Sequence, residues 1–179
     1  RLIDIGVPAD RIIVKAHFSA DVGPRAAPPS RSGDVVVVGR LAPGKGIDTL
    51  LDAWRLSSAA RERRLTVIGD GPLAERLRAG APSRVDFVGW LSRDDVARRM
   101  LSARALVMPT EWYEPFGMVL IEAMSAGVPI VTTTMAGARA IVGGSDEMVV
   151  PPRRPAALAA ALDALDDTNN SAADFVATA

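Results

Sequence analysis

Asp34-Val35-Val36-Val37-Val38-Gly39 opens the regular part of this sequence, and a helical pattern follows it at residues 47–56. Four consecutive valines favour a strand that is buried on both faces, as in the centre of a parallel sheet. Leu50, Leu51 and Trp54 then recur at helical spacing. The stretch therefore predicts a unit in which a buried strand leads into a helix that packs back against the sheet.

The same alternation continues along the chain. Further strands are predicted at 65–69, 85–88, 105–108, 129–132 and 148–150, and helices are predicted to begin near Pro72, Ser92, Gly117 and Pro155. Upstream, Arg11–Lys15 has the composition of one more strand, and residues 19–33 are rich in Pro, Ser, Gly and Arg, which favours a linker. At least five alternations predict the α/β class, with a Rossmann-like parallel sheet covered by helices on both faces.

The composition excludes several classes of function. The 179 residues fit one ordinary domain, and 21 acidic residues balance 21 basic ones, so no net charge favours a nucleic-acid partner. The chain has no cysteine and one histidine, His17, for which we expect a structural or solvent-exposed role. Disulfides and thiolate metal sites are therefore excluded, and a single histidine argues against a histidine-based zinc site.

The sequence also bears on the place of the chain in the cell. No apolar run approaches the roughly 20 residues of a membrane-spanning helix. The start lacks both the apolar stretch of a signal peptide and an initiator Met. We therefore expect a cytoplasmic protein of which this chain is an excised part, while peripheral membrane association of the full-length protein stays open.

Ligands of parallel sheets bind beyond the carboxyl ends of the strands, so the strand-to-helix loops are the places to look for chemistry. The first loop, residues 39–46, combines three glycines with Arg40 and Lys45 beside a helix start, which suits a phosphate. It matches neither the Walker loop nor the dinucleotide fingerprint, and a tight turn with solvated cations explains it equally well. The second loop, Gly69-Asp70-Gly71-Pro72, is typical of a turn and can also direct backbone amides at a ligand.

The third loop and the helix after it, residues 111–127, carry the candidate active centre. Glu114 precedes the helix, where its carboxylate can point into a cleft, and the amides near Gly117 open the helix, where a diphosphate is favoured. Glu122 lies within the helix among apolar residues, and a carboxylate there needs a partner. A ribose diol is one such partner; exposure to solvent or pairing with a surface arginine is the alternative.

Together these loops resemble glycosyltransferase family 4, the large group of retaining GT-B enzymes. The family's mark is two glutamates separated by seven residues, present here from Glu114-Pro115-Phe116-Gly117 to Glu122-Ala123-Met124-Ser125-Ala126-Gly127. Only Ser125 departs from its usual form. Residues 39–46, 69–72 and 87–89 match in order and spacing, so the likeness extends over residues 34–165. Ala136-Gly137 and the junction at residues 15–21 depart from the family's usual pattern.

The resemblance implies the C-terminal half of a GT-B fold, binding a nucleotide-diphosphate sugar such as a UDP- or GDP-sugar. Arg40 and Lys45 would hold the diphosphate, Glu114 would accept hydrogen bonds from the donor sugar, and Glu122 would bind the ribose. Glu114, Arg40 and Lys45 are then the catalytic residues, and Trp90 and Leu91 lie near the base. The implied donor-binding residues are Gly39, Arg40, Lys45, Gly69, Trp90, Leu91, Glu114, Phe116, Gly117, Met118 and Glu122.

The resemblance also implies how the chain is divided and what it does alone. Residues 1–33 would be the junction from an N-terminal domain, 34–166 the nucleotide-sugar-binding domain and 167–179 a polar tail. The N-terminal domain would bind the acceptor and supply a catalytic-site histidine, so we expect this half of a hexosyltransferase-like enzyme to bind donor without turnover. No cofactor and no metal are expected, because Arg40, Lys45 and a helix N-terminus stabilise the leaving diphosphate.

Several alternatives stay open at this point. Retention of configuration permits a covalent intermediate on Glu114, whereas the resemblance favours a positioning role with same-face attack by the acceptor. The competing functions are a nucleotide-sugar epimerase, a phosphorylase relative, a non-catalytic nucleotide-binding module and an NAD-binding domain, although the NAD fingerprint is absent here. The sequence selects neither the base and sugar of the donor nor the acceptor.

Overall fold

The computed structural model describes residues 2–13, 33–114, 117–135 and 149–167. These residues form the strands β1 (Val35–Val38), β2 (Leu65–Ile68), β3 (Val85–Gly89), β4 (Ala105–Met108), β5 (Ile130–Thr133) and β6 (Val149–Val150). They also form the helices α1 (Ile47–Leu56), α2 (Ala59–Glu62), α3 (Ala74–Ala79), α4 (Arg93–Ser102), α5 (Met118–Ser125) and α6 (Pro155–Asp167). A short 3₁₀ helix, Ala9–Arg11, precedes them.

The strands form one parallel sheet in the order β3-β2-β1-β4-β5-β6. The central strand β1 is paired on both sides, with Val36 opposite Thr66 of β2 and opposite Leu106 of β4. From β1 the chain extends the sheet to one side through β2 and β3, and then returns to the other side at β4. The carboxyl ends of β1 and β4 therefore flank the switch in strand order, where doubly wound sheets bind ligands.

Alternate residues of the central strands face opposite layers of helices. Val35 and Val37 belong to one buried cluster with residues of α1, α3 and α6, whereas Val36 belongs to a second cluster with residues of α4 and α5. All residues of β2, β4 and β5 are buried, so the sheet is covered on both faces. The fold class predicted from the sequence is confirmed.

Most of the predicted elements occur, with ends that shift by a few residues. α1 spans the predicted range. Ser92 caps α4 as expected, because its hydroxyl oxygen accepts a hydrogen bond from the Asp95 amide at 3.2 Å. α3 begins at Ala74, after a turn at the proline where the helix was predicted to begin, and α6 continues to Asp167.

The strand predicted at Arg11–Lys15 is wrong in the part that the structure describes. Arg11 ends the 3₁₀ helix, and Ile12 and Ile13 belong to no strand; an apolar composition does not form a strand without packing against neighbours. α2 has no counterpart among the predicted elements, because four residues are too few for a periodic pattern. His17, Ala136-Gly137 and residues 168–179 of the predicted tail lie outside the described residues.

Candidate functional site

A cleft of about 1110 Å³ opens beyond the carboxyl ends of β1 and β2, beside α4. Several residues predicted to bind the donor line it, namely Gly39, Arg40, Gly69, Trp90, Leu91 and Glu122. They come from the loops after β1, β2 and β3 and from α5. Residues that are far apart in sequence thus meet beyond the carboxyl ends of parallel strands, where a ligand is expected.

The walls of the cleft combine an apolar interior with a charged rim. The apolar surface comes from the ends of two strands and from α4, through Val38, Ile68, Val96, Ala97 and Met100. Charged, exposed residues also line the cleft, namely Arg40, Asp70, Arg93 and Asp94. This combination is typical of small-molecule sites.

Gly69 lets the loops after β1 and β2 approach each other closely. A Cβ atom at this position would lie 1.9 Å from the Gly39 carbonyl oxygen, so a larger residue would push the two loops apart. The Gly69 amide donates to the Gly89 carbonyl at 2.7 Å, which connects this loop to the last residue of β3. Backbone held at contact distance therefore forms this part of the cleft.

Lys45 and Glu114 form a second group of charged residues. The Lys45 Nζ atom lies 2.5 Å from Glu114 Oε2, although 69 positions separate the two residues. Their side chains are 41% and 24% exposed, so both remain accessible to a ligand. Among the residues that the structure describes, neither lines the cleft that contains Glu122. The predicted donor-binding residues therefore divide into two groups, which the loop carrying Arg40 and Lys45 connects.

The start of α5 lies at the predicted position. Gly117 is the N-cap, with a φ of 62°, and Met118 is the first helical residue. Neither is among the described residues that line the cleft. Glu122 lies about one turn further along and is half-buried at the cleft wall. Phe116, predicted to contact the sugar and phosphates, lies outside the described residues.

Glu111 joins the loops after β1 and β4 through contacts that no motif indicates. Its amide donates to the Gly44 carbonyl at 2.8 Å. Its carboxylate accepts hydrogen bonds from the Thr49 hydroxyl at 2.6 Å and from the Arg153 Nε atom at 2.9 Å. Thr49 and Arg153 lie 62 and 42 positions away from Glu111, so no sequence pattern identifies these two residues.

The first turn of α4, at one wall of the cleft, is held by a local network of hydrogen bonds. The Ser92 hydroxyl donates to the Asp95 carboxylate at 2.5 Å, and Arg98 donates to the same carboxylate. The hydrogen bond from Ser92, followed by that from Arg98, lowers the pKa of Asp95 below its ordinary value. The ionised carboxylate is also favoured by the positive end of the helix dipole.

Within the described ranges, no cluster of three or more His, Asp or Glu side chains could hold a metal ion. In the same part of the chain, no helix has both the length and the apolar character that crossing a membrane requires.

Residues 32–167 match the family model described as Glycosyl transferases group 1. The chain is 34% identical to glycogen synthase of Mycobacterium tuberculosis (strain H37Rv) over 169 residues, covering 89% of this chain and 41% of that protein. It is also 34% identical to the 2-deoxystreptamine N-acetyl-D-glucosaminyltransferase of Streptomyces fradiae over 158 residues, covering 76% of this chain and 37% of that enzyme. The chain therefore spans well under half the length of these curated relatives.

The fold of this chain is also similar to that of solved structures. TarM of S. aureus, a mutant in complex with Fondaparinux, α-GlcNAc-glycerol and UDP, aligns with a TM-score of 0.79 and 17% identity, covering 98% of this chain and 36% of that chain. HepE of Anabaena, in complex with UDP and glucose, aligns with a TM-score of 0.64 and 26% identity, covering 74% and 38% respectively. The likeness to TarM concerns the fold alone.

Proposed function

Because this chain belongs to the family of group 1 glycosyl transferases, we propose that it is the donor-binding domain of a retaining glycosyltransferase. The full protein would transfer a sugar from a nucleotide-diphosphate sugar to an acceptor, releasing the nucleoside diphosphate. The observation that carries the proposal is the meeting of Arg40, Trp90 and Glu122 in one cleft, with the Lys45–Glu114 pair attached to the same loop as Arg40.

Arg40 and Lys45 suit the diphosphate of the donor. Arg40 is exposed at the cleft, and Lys45 is partly exposed on the same loop. When the bond to the sugar breaks, negative charge develops on the leaving diphosphate, and cations already in position stabilise it without reorganising. Each such group lowers the barrier by roughly 3 to 4 kcal/mol. We therefore propose that transfer proceeds with neither a metal ion nor a cofactor.

Glu122 suits the ribose of the nucleotide. Its half-buried carboxylate lies on the wall of a cleft whose interior is largely apolar, and a carboxylate can accept hydrogen bonds from two neighbouring hydroxyls. The base would then lie against the apolar surface of α4. Trp90, which is 77% exposed at the same cleft, offers an aromatic face on which a base can stack.

The Lys45–Glu114 ion pair supports a positioning role for Glu114 over a nucleophilic one. Glu114 Oε2 accepts a hydrogen bond from Lys45 at 2.5 Å, which holds the carboxylate in one orientation beside a cation, as a residue that positions the sugar requires. Glu114 lies beside Lys45, the cation that is proposed to bind the diphosphate. Its carboxylate is therefore close to the place where hydroxyls of the transferred sugar would lie. Same-face attack by the acceptor is therefore the proposed route to retention of configuration.

The remaining parts of the proposal concern the full-length protein. An N-terminal domain would bind the acceptor, so the chain alone would bind donor without turnover. We also propose a cytoplasmic location, with peripheral association of the full-length protein with a membrane as an open alternative.

Calorimetric titration of the chain with UDP-glucose, GDP-mannose and ADP-glucose tests donor binding. We expect at least one of them to bind. Glu122→Ala should weaken the binding of that nucleotide sugar by about tenfold or more, because it removes the hydrogen bonds between the ribose hydroxyls and a charged group. The corresponding 2′-deoxyribonucleotide should bind wild type less tightly, and Glu122→Ala should weaken it much less, because the ribose contact is already incomplete.

Glu75→Ala is the matched control, since Glu75 is exposed on α3 and is not among the described residues that line the cleft. It should leave all affinities unchanged. Absence of binding by all three nucleotide sugars would contradict the proposed function. If Glu122→Ala lowered the affinities for ribonucleotide and deoxyribonucleotide equally, only the role of Glu122 would be contradicted. Equal affinity for a nucleotide sugar and for its nucleoside diphosphate would instead favour a non-catalytic nucleotide-binding module.

A further inference from the structure

We propose that Glu111 is a positioning residue, which holds Lys45 where it would bind the diphosphate of the donor and Glu114 where it would bind the sugar. The proposal rests on the donor-binding function given above. Glu111 lies outside the two-glutamate motif and acts through its neighbours. Its contacts connect the loops after β1 and β4 with the turn before α6.

The carboxylate of Glu111 ties together two distant segments. Oε1 accepts from the Thr49 hydroxyl at 2.6 Å, and Oε2 accepts from the Arg153 Nε atom at 2.9 Å. Thr49 lies in the first turn of α1, directly after the loop that carries Lys45. Only 16% of the Glu111 side chain is exposed, and a carboxylate so far removed from water is retained where such donors compensate its lost hydration.

The backbone of Glu111 anchors the loop that carries Lys45. The Glu111 amide donates to the carbonyl of Gly44 at 2.8 Å, one residue before Lys45. Glu114 follows Glu111 by three residues in the same loop. Side chain and backbone of one residue therefore restrain both sides of the ion pair between Lys45 and Glu114, whose nearest atoms are 2.5 Å apart.

Arg153 contributes to the arrangement from the turn before α6. Its φ is 57°, in the left-handed region that residues other than glycine seldom adopt. Its side chain is 69% exposed and still donates to Glu111. This hydrogen bond connects the turn before α6 to the loop that carries Glu111 and Glu114.

Calorimetry on Glu111→Gln tests this role. Glutamine keeps the size and the backbone amide but has one acceptor oxygen, so it cannot serve both Thr49 and Arg153 in the same way. We expect the affinity for the best-binding sugar nucleotide among UDP-glucose, GDP-mannose and ADP-glucose to fall about tenfold. The affinity for the matching nucleoside diphosphate without sugar should fall less, by under about threefold, because this ligand keeps the cleft and Arg40, makes no contact with Glu114 and loses only part of its support from Lys45.

The split between the two ligands separates positioning from a general loss of structure. Thermal unfolding of wild type and variant defines a temperature at which both are folded, and a merely structural defect would then weaken both ligands in parallel. Glu75→Gln makes the same chemical change on the exposed surface of α3 and should alter neither affinity. Thr49→Val, which removes one of the two donors to Glu111, should reproduce part of the loss for the nucleotide sugar.

The outcomes distinguish the two proposals. Unchanged affinity of Glu111→Gln for the nucleotide sugar, or parallel losses for both ligands, would overturn the positioning role and leave donor binding intact. Failure of the wild-type chain to bind any of the three nucleotide sugars would overturn donor binding and, with it, the role of Glu111.

Discussion

Among single residues, Gly46 determines how closely the loops after β1 and β4 can approach. It is buried, with a φ of 70°, and a Cβ atom there would lie 1.9 Å from the Pro109 carbonyl oxygen. Gly46 is the neighbour of Lys45, and Pro109 begins the loop that carries Glu114. The absence of a side chain at position 46 therefore permits the spacing at which the ion pair forms.

Gly46→Ala should destabilise the chain by more than a left-handed backbone alone explains. Gly127→Ala is the control, because Gly127 has a similar φ of 64° and a Cβ atom there would meet nothing within 4 Å. We expect a loss of about 1 to 2 kcal/mol for Gly127→Ala. Steric overlap with Pro109 should add roughly 1 to 3 kcal/mol for Gly46→Ala. Urea unfolding measures both free energies, and equal losses would contradict the close approach of the loops.

Among the elements, α4 depends for its stability on the hydrogen bonds of its own first turn, and it does so more than α1 does. Met100 is the one residue of the ten in α4 that is buried, whereas α1, of equal length, buries five. A helix with so little buried surface gains less from packing against the sheet. The network of Ser92, Asp95 and Arg98 is therefore an important support for the α4 wall of the cleft.

Asp95→Asn should remove a stabilisation that depends on pH. The hydrogen bonds from Ser92 and then from Arg98 lower the pKa of Asp95, so the ionised carboxylate favours the folded state. Its contribution is fully present above the unfolded carboxyl pKa of about 4 and is lost as the pH falls through the lowered folded value. The difference in unfolding free energy between wild type and Asp95→Asn should therefore shrink on acidification.

Denaturant unfolding over a pH series measures this difference. Asp94→Asn is the control, because Asp94 lies in the same first turn but takes no part in the hydrogen bonds of Asp95. On acidification, the difference in unfolding free energy from wild type should shrink more for Asp95→Asn than for Asp94→Asn. A difference for Asp95→Asn that persists unchanged in strong acid would contradict the assigned interactions.

For the whole molecule, strand order decides which loops meet. β1 lies between β2 and β4, so the loop that follows β1 has the loop of β2 on one side and that of β4 on the other. One side forms the cleft with Gly69, and the other forms the ion pair with Glu114. Under the proposed function, a donor would extend from the cleft to Glu114 along this single loop.

The chain by itself should bind donor without transferring the sugar, since acceptor binding is assigned in the proposal to another domain. With the best-binding nucleotide sugar and either water or glucose as acceptor, release of nucleoside diphosphate should remain at the level of a protein-free control. Calorimetry on the same preparation establishes that donor is bound. Release of nucleoside diphosphate above that control would contradict the proposal that transfer requires another domain.

Local signals in the sequence were sufficient for most elements. The valines of β1, the apolar spacing of α1 and the Ser92 cap depend on residues close in sequence, and such patterns identify buried strands and amphipathic helices. The prediction at Arg11–Lys15 was wrong because strand formation depends on neighbours in the sheet as well as on composition. The ligand-binding roles assigned to individual residues remain predictions until binding is measured.

By itself, the sequence determined the α/β fold, the positions of the glycine loops and the choice of Arg40, Glu114 and Glu122 as candidates. Only the tertiary structure decided that Glu114 pairs with Lys45 across 69 positions, that Arg40 and Glu122 share a cleft, and that Glu111 binds Thr49 and Arg153. The physical reason is the range of the interactions. Backbone propensity and apolar periodicity act between neighbours, whereas contacts between side chains on different loops depend on the order in which the strands pair.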